Sequence, residues 1–244
     1  MPNPKIGPPN TPEFLSQVPK SVLRVLDVSE VFRDALSSMK LPENEGPVIA
    51  LRIIESYFDA AKRQQRRIER AKASSHSPPP RSKVSSRGRN LFHDVHFYII
   101  SWQRIYKIAE FIRDKTKFSR TGLVIRRYNR DLENRRKARV HLEHFEEQVP
   151  GGKKHNELAV PNDLLNMENQ YLTFGGLRVD IGPDSIRLLK MFRDEFFTAV
   201  KYDSIEALAR KDESRLSFLL NRAAKEVSIA RSTRKVKRML KGRT

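Results

Sequence analysis

The segment from about Asn90 to Lys115 leaves this chain the least choice. Phe92, Val95, Ile99, Trp102, Tyr106 and Ala109 follow one another at alternating steps of three and four residues. A strand would scatter that set over both faces, whereas a helix gathers it into one stripe. With Phe97, Tyr98 and Phe111 the segment is also the most aromatic of the chain. A stripe that large must be covered by other elements, so the segment predicts a helix facing a core.

The neighbouring segments offer partners of the same kind. Val22, Val25, Leu26, Phe32 and Leu36 predict a helix over 21–39 with a break near Asp27–Ser29. A longer helix begins near Pro47, carries Ile49, Ile53, Ile54, Tyr57, Phe58 and Ala61, and loses its apolar face there; a charged extension continues to about Lys72. A fourth runs from about Arg120 to Gln148 and stops at Pro150-Gly151-Gly152. After a polar connection to Asn169, residues 170–181 alternate around Gly175-Gly176, a hairpin signal. Gly182-Pro183-Asp184-Ser185 then opens a helix with Ile186, Leu189, Phe192, Arg193, Phe196 and Val200 on one face. A last helix over 203–230, broken around Asp212, carries Leu208, Leu216, Leu219, Leu220, Ala223 and Val227. No internal repeat is visible. The expected fold is all-α: a helical bundle with a small β-hairpin insertion.

Around this body the composition changes. Residues 1–19 hold six prolines and read as an extended arm. Residues 73–89 (ASSHSPPPRSKVSSRGR) are rich in Ser and Pro and read as a disordered basic loop. Residues 231–244 read as a basic C-terminal tail. The expected domain is therefore 20–230, with the loop at 73–89 and the hairpin at 170–181 inside it.

Charge follows the same division. Lys plus Arg number 48 against 29 Asp plus Glu, a formal net charge of +19. Residues 62–89 hold ten basic residues and one acid, and 231–244 hold seven and none, so these two stretches carry +16 of it. Such runs attract phosphate backbones by counterion release, with little regard for base sequence. The residues this points to are Arg63, Arg66, Arg67 and Arg70 in the first stretch and Arg234, Lys235, Lys237 and Arg238 in the second. Aromatic residues do not interleave them, which argues against a single-strand stacking groove. Nucleic acid, with RNA favoured, is the expected partner. The chain has no cysteine, which excludes disulfides and thiolate chemistry and fits a cytoplasmic protein. No apolar run is long enough to cross a membrane, so no membrane partner is expected.

Catalytic motifs are scarce. There is no Gly-rich phosphate loop, nucleophile elbow or His-Glu-x-x-His. Histidines and acids cluster at His93, Asp94 and His96, and again at His141, Glu143, His144, Glu146 and Glu147. Each histidine pair is spaced i, i+3 and shares a helix face, but nothing beyond spacing points to a metal, and neither metal nor cofactor is expected. In the fourth helix Val124, Tyr128, Asp131, Arg135, Ala138, Leu142, Phe145 and Val149 share one face. An arginine on a core face must find partners, and Asp131 and Glu146 are the candidates for Arg135. Glu143, at i+4, and Asp94 are the candidates for Arg139.

The run Ala138-Arg139-Val140-His141-Leu142-Glu143-His144-Phe145-Glu146-Glu147, followed by Pro150-Gly151-Gly152, resembles a motif of largely uncharacterised bacterial helical proteins. It is also similar to the arginine-x4–6-histidine signature of the HEPN superfamily. Arg139 and His144 fit that spacing, as do Arg136 and His141, and Val140 stands where active members usually carry a polar residue. The resemblance covers roughly residues 90–150 and implies a helical bundle, a homodimer and metal-independent endoribonuclease chemistry of the toxin–antitoxin or phage-defence kind. On that reading His144 moves a proton, Arg139 stabilises charge developing on the phosphate, and Glu143 and His141 complete the site. Three functions follow: nucleic-acid association without catalysis, which is the principal expectation; a HEPN-like ribonuclease; and a protein–protein interaction module.

Overall fold

The computed structural model describes residues 18–39, 45–73, 81–143, 170–174 and 177–241. Most of the expected arm, the polar connection after residue 150 and the Gly175-Gly176 turn lie outside these residues. Among the described residues the elements are α1 (Lys20–Val25), α2 (Val28–Ser38), α3 (Glu45–Ala73), α4 (Arg81–Thr116), α5 (Ser119–Glu143), β1 (Tyr171–Phe174), β2 (Leu177–Asp180), α6 (Pro183–Lys211) and α7 (Glu213–Lys241). The fold is an all-α bundle with one small antiparallel hairpin. The chain divides into two compact units, one spanning 46–199 and the other formed by residues up to 45 and from 200 onward.

In the unit spanning 46–199, α3, α4, α5 and the first part of α6 close a ring. Asp94 of α4 pairs with Arg67 of α3 at 3.0 Å. On the next side of the ring, Tyr106 of α4 donates to Asn129 of α5 at 3.2 Å. Tyr128 and Arg127 of α5 both donate to Glu195 of α6, at 3.0 and 2.6 Å. Arg193 of α6 closes the ring on Glu55 of α3 at 3.2 Å and lies over the Phe58 ring. Leu51, Ile54 and Ile68 of α3, Tyr98, Ile99, Trp102, Ile105 and Ile112 of α4 and Phe192 and Phe196 of α6 are all fully buried. Of the expected stripe, Val95, Ile99, Trp102, Tyr106 and Ala109 are buried and Phe92 is half-buried, while Phe97 is 53% exposed. The junction of α4 and α5 is two residues long. Lys117 adopts a left-handed φ of 57° there, and Thr116 Oγ1 accepts from Phe118 N.

The expected apolar face of α3 is corrected. Ile49 and Ile53 are exposed, and the core face continues past Ala61 through Gln65 to Ile68. The basic residues of 62–72 therefore occupy the other side of a helix that is still packed. Of the expected loop at 73–89, Ala73 ends α3 and Arg81–Arg89 begin α4, which corrects that part, while residues 74–80 lie outside the described residues. The prolines lie before Arg81, Pro80 suits a helix start, and Arg, Lys and Ser are tolerated inside a helix. The expected tail from residue 231 is also helical as far as Lys241, because Arg, Lys, Met and Leu favour helix and no Gly or Pro interrupts them before Gly242. The separate helices expected around residues 200–203 are one, α6. Asp203 and Ser204 are buried within it, and Ser204 Oγ donates back to the Val200 carbonyl. The break falls at Asp212, whose carboxylate caps α7 by accepting from Arg215 N at 3.0 Å.

The other unit packs Val22, Leu23, Leu26, Val31 and Ala35 against Ile205, Leu208, Leu216, Leu219 and Ala223. The break between α1 and α2 falls where it was expected, and Asp27 caps α2 by accepting from Glu30 N at 2.9 Å. Arg222 and Arg215 of α7 reach Glu30 and Asp34 of α2. Lys201 donates to the Leu23 carbonyl at 3.0 Å, tying the end of α1 to α6.

In the hairpin Tyr171 pairs with Asp180 and Phe174 with Leu177, leaving Gly175 and Gly176 between the strands. Arg178 lies over the Tyr171 ring. Gly182 then enters α6 so close to Gln170 that a Cβ there would fall 2.8 Å from that residue's own Cβ.

One buried charge joins the hairpin to the ring. Arg135 of α5 is 4% exposed, and its guanidinium carbon sits 3.7 Å from the centroid of the Trp102 ring. Its Nη1 donates to the Asp131 carbonyl at 3.0 Å, and its Nη2 to Ser185 Oγ at 2.9 Å and to the Asp180 carbonyl at 3.5 Å. Ser185 Oγ also accepts from the Tyr98 hydroxyl at 2.7 Å. Burial pushes the Arg135 pKa down, opposed by Tyr98, Asp131 and Asp180 nearby. Arginine nevertheless stays charged. The expected carboxylate pairing is corrected: Asp131 supplies its carbonyl rather than its side chain, and Glu146 lies outside the described residues. Removing the guanidinium leaves carbonyls and a cavity in the core, so Arg135→Ala is expected to cost about 3 kcal/mol. Arg135→Met, which refills the space over Trp102, is expected to cost about half as much. Urea unfolding of the full chain measures both.

Candidate functional site

Two places collect the residues singled out by sequence. The first is the seam between α4 and α5. Arg139 Nε donates to Glu143 Oε1 at 2.6 Å, one turn along the same helix, and Nη1 donates to Gln103 Oε1 on α4. The i+4 partner expected for Arg139 is therefore present. Asp94 is not its partner; that carboxylate faces the other side of α4 and holds Arg67. His144, and the side chain of His141, lie outside the described residues.

α4 adds a residue to this seam that the arginine–histidine spacing does not reveal. His96 lies within electrostatic reach of Glu143 and Arg139, and its Nε2 is buried without a hydrogen-bond partner among the described residues. The ring stacks on Phe97 at 6.1 Å and tilts against Phe92 at 6.1 Å. Burial is the main cause that lowers its pKa; Glu143 opposes the shift, and His93 and Arg139 add to it. The seam thus presents a neutral imidazole beside a paired arginine and carboxylate. Among the described residues no group of three His, Cys, Asp or Glu side chains is placed to hold a metal ion.

The second place is the outer side of α3. Arg63, Arg66, Arg67 and Arg70 are all exposed, while Ile54, Phe58, Ala61, Gln65 and Ile68 are buried on roughly the opposite side of the helix. Arg67 is tied to Asp94, and among the described residues Arg63, Arg66 and Arg70 have no ion-pair partner. Exposed arginines that form no ion pair keep their donors available for phosphate oxygens. Arg234, Lys235, Lys237 and Arg238 are in α7, with side chains outside the described residues.

Sequence reasoning misses a similar exposed set on α5: Arg126, Arg130 and Lys137. Net charge conceals it, because Asp131, Glu133 and Glu143 lie nearby in sequence. Position on the helix separates them, since Glu133 is drawn to Arg136 and Glu143 to Arg139.

Among the described residues no helix is long and apolar enough to cross a membrane. No protein-family model matches the chain, and neither a curated protein nor a solved structure matches it.

His96 gives the seam a measurable signature. Its folded-state pKa lies below the ordinary 6.5, so the unfolded chain takes up a proton first as pH falls. Stability is therefore expected to drop as pH falls below about 6.5, and to stop dropping on this account once the folded imidazole is protonated too. His96→Gln removes that contribution. Denaturant midpoints measured between neutral and mildly acidic pH are expected to vary less in this variant than in the native chain.

Proposed function

We propose that this chain is a nucleic-acid-associated helical protein that engages the phosphate backbone of a duplex, with RNA the favoured form. The observation that carries the reading is the face of α3 on which Arg63, Arg66 and Arg70 stand exposed and unpaired among the described residues. Between Arg63 and Arg70 the helix rises about 10 Å, a length over which a duplex presents about six phosphate charges. The helix cannot bend away, because its other side is locked into the core through Phe58, Ala61 and Ile68. That inward apolar side also argues against a lipid surface, since this stretch has no exposed apolar face to insert. The basic residues of α7 add charge of the same sign. Binding rather than cleavage is put forward because Arg139, the arginine of the HEPN-like motif, is engaged with Glu143 and Gln103.

The test is the salt dependence of binding to duplexes of unrelated sequence. Affinity is expected to fall steeply with salt and to depend little on sequence. In the variant carrying Arg63→Gln, Arg66→Gln and Arg70→Gln, the slope of log K against log salt is expected to flatten by about 2–3. Salt-independent binding, or an unchanged slope, contradicts the proposal. Absence of any duplex binding leaves the protein–protein module as the better reading.

A further inference from the structure

A short pattern recurs on two helices of the ring. Arg66-Arg67-Ile68-Glu69-Arg70 in α3 and Arg126-Arg127-Tyr128-Asn129-Arg130 in α5 share the order basic, basic, apolar, any, arginine. The structure gives matching positions matching roles. The third residue is the anchor: Ile68 is 0% and Tyr128 5% exposed. The second is pinned to a carboxylate of the next helix, Arg67 to Asp94 of α4 and Arg127 to Glu195 of α6. The first and fifth, Arg66 and Arg70 or Arg126 and Arg130, are exposed and have no ion-pair partner among the described residues. Each run extends in kind, by Arg63 on α3 and by Lys137 on α5.

The two faces do not form one surface. α4 touches α3 through Asp94 and α5 through Gln103 and Tyr106. On the other side α6 touches α5 through Glu195 and α3 through Arg193. α3 and α5 therefore lie across the ring from one another, and sides opposite to their buried sides point away from each other. One continuous duplex segment cannot lie along both at once. Two separate segments can.

We propose that the unit spanning 46–199 is a two-faced phosphate-backbone clamp, in which α3 and α5 each hold a different duplex segment and the chain bridges them. The proposal rests on the nucleic-acid reading above and adds a second, opposed contact. It assigns Arg126, Arg130 and Lys137 a binding role. It also gives Arg67 and Arg127 a positioning role, because each fixes the exposed arginines beside it against the neighbouring helix.

A sandwich capture assay with the full chain tests it. One RNA duplex is immobilised, the protein is added, and a second labelled duplex is offered in solution. The native chain is expected to retain the second duplex, with retention falling as salt rises. Arg126→Gln with Arg130→Gln and Lys137→Gln is expected to keep binding to one duplex but to lower retention of the second by about tenfold or more. Arg126→Lys with Arg130→Lys is expected to preserve most of it. Circular dichroism confirms that helix content is unchanged, as expected for exposed positions.

Undiminished retention in the glutamine variant overturns the bridge, because it places the second contact elsewhere, on α7 or on a second copy of the chain. Binding to one duplex with no retention of a second by the native chain also overturns it, while leaving the nucleic-acid reading intact. Failure to bind even one duplex defeats that reading itself, as does capture of phosphatidylserine vesicles in place of duplex.

Discussion

The guanidinium of Arg135 stacked on Trp102 is the contact on which the arrangement of the ring depends. It draws together α4 through Trp102 and Tyr98, α5 through the Asp131 carbonyl, β2 through the Asp180 carbonyl and α6 through Ser185. A charge buried to this degree is stabilised only if its donors find acceptors of defined position. Carbonyls and a hydroxyl supply them here, so the guanidinium also sets how the hairpin meets the bundle. The aromatic face adds an attraction that needs no acceptor. Nη1 and Nη2 take these acceptors while Nε stays buried without a hydrogen-bond partner among the described residues, and the one side chain still joins four elements and limits how the helices around it can rotate.

That restriction on rotation has a consequence at the surface. With the apolar sides of α3 and α5 held inward, the residues opposite them are held outward, and on both helices these are predominantly basic. The excess charge of residues 62–72 is therefore a property of a helix face and not of a flexible attachment. Asp94 and Glu195 do not neutralise those faces; each takes one arginine into a contact between helices and leaves its neighbours exposed. An attachment in solution must lose conformational freedom to follow a phosphate backbone, whereas a packed helix has already lost it.

Much of the fold was legible in the sequence for simple reasons. The stripe from Val95 to Ala109 has a helical period and no competing one. Gly175-Gly176 sits between two alternating runs, and Asp27 and Asp212 are good caps at interruptions of helical patterns. Elsewhere composition and helix propensity point in different directions, and the structure follows propensity. Residues 81–89 and 231–241 look like linkers by charge, yet they contain good helix formers and lack proline. The apolar side of α3 continued under the arginines because only one residue in three or four needs to be apolar, and Gln65 and Ile68 were enough.

At the candidate site the sequence was informative about neighbours within a helix and weak about neighbours between helices. The pairing of Arg139 with Glu143 follows from i, i+4 spacing. His96, Gln103 and the exchange of Asp94 to Arg67 depend on how α4 faces its two partners, which spacing alone does not encode. Arg126, Arg130 and Lys137 were hidden by averaging charge along the chain, when only position around the helix distinguishes exposed arginines from paired ones.

Outward arginines on packed helices, and not the buried one, are the residues proposed to meet phosphate. Arginine-selective chemical modification, mapped residue by residue with and without duplex RNA, tests it directly. Arg63, Arg66, Arg70, Arg126 and Arg130 are expected to react readily in the free chain and to be protected by the duplex, and Arg135 is expected to stay unreactive in both states. Reactivity at those five residues that the duplex leaves unchanged, or an Arg135 that reacts as readily as they do, would contradict it.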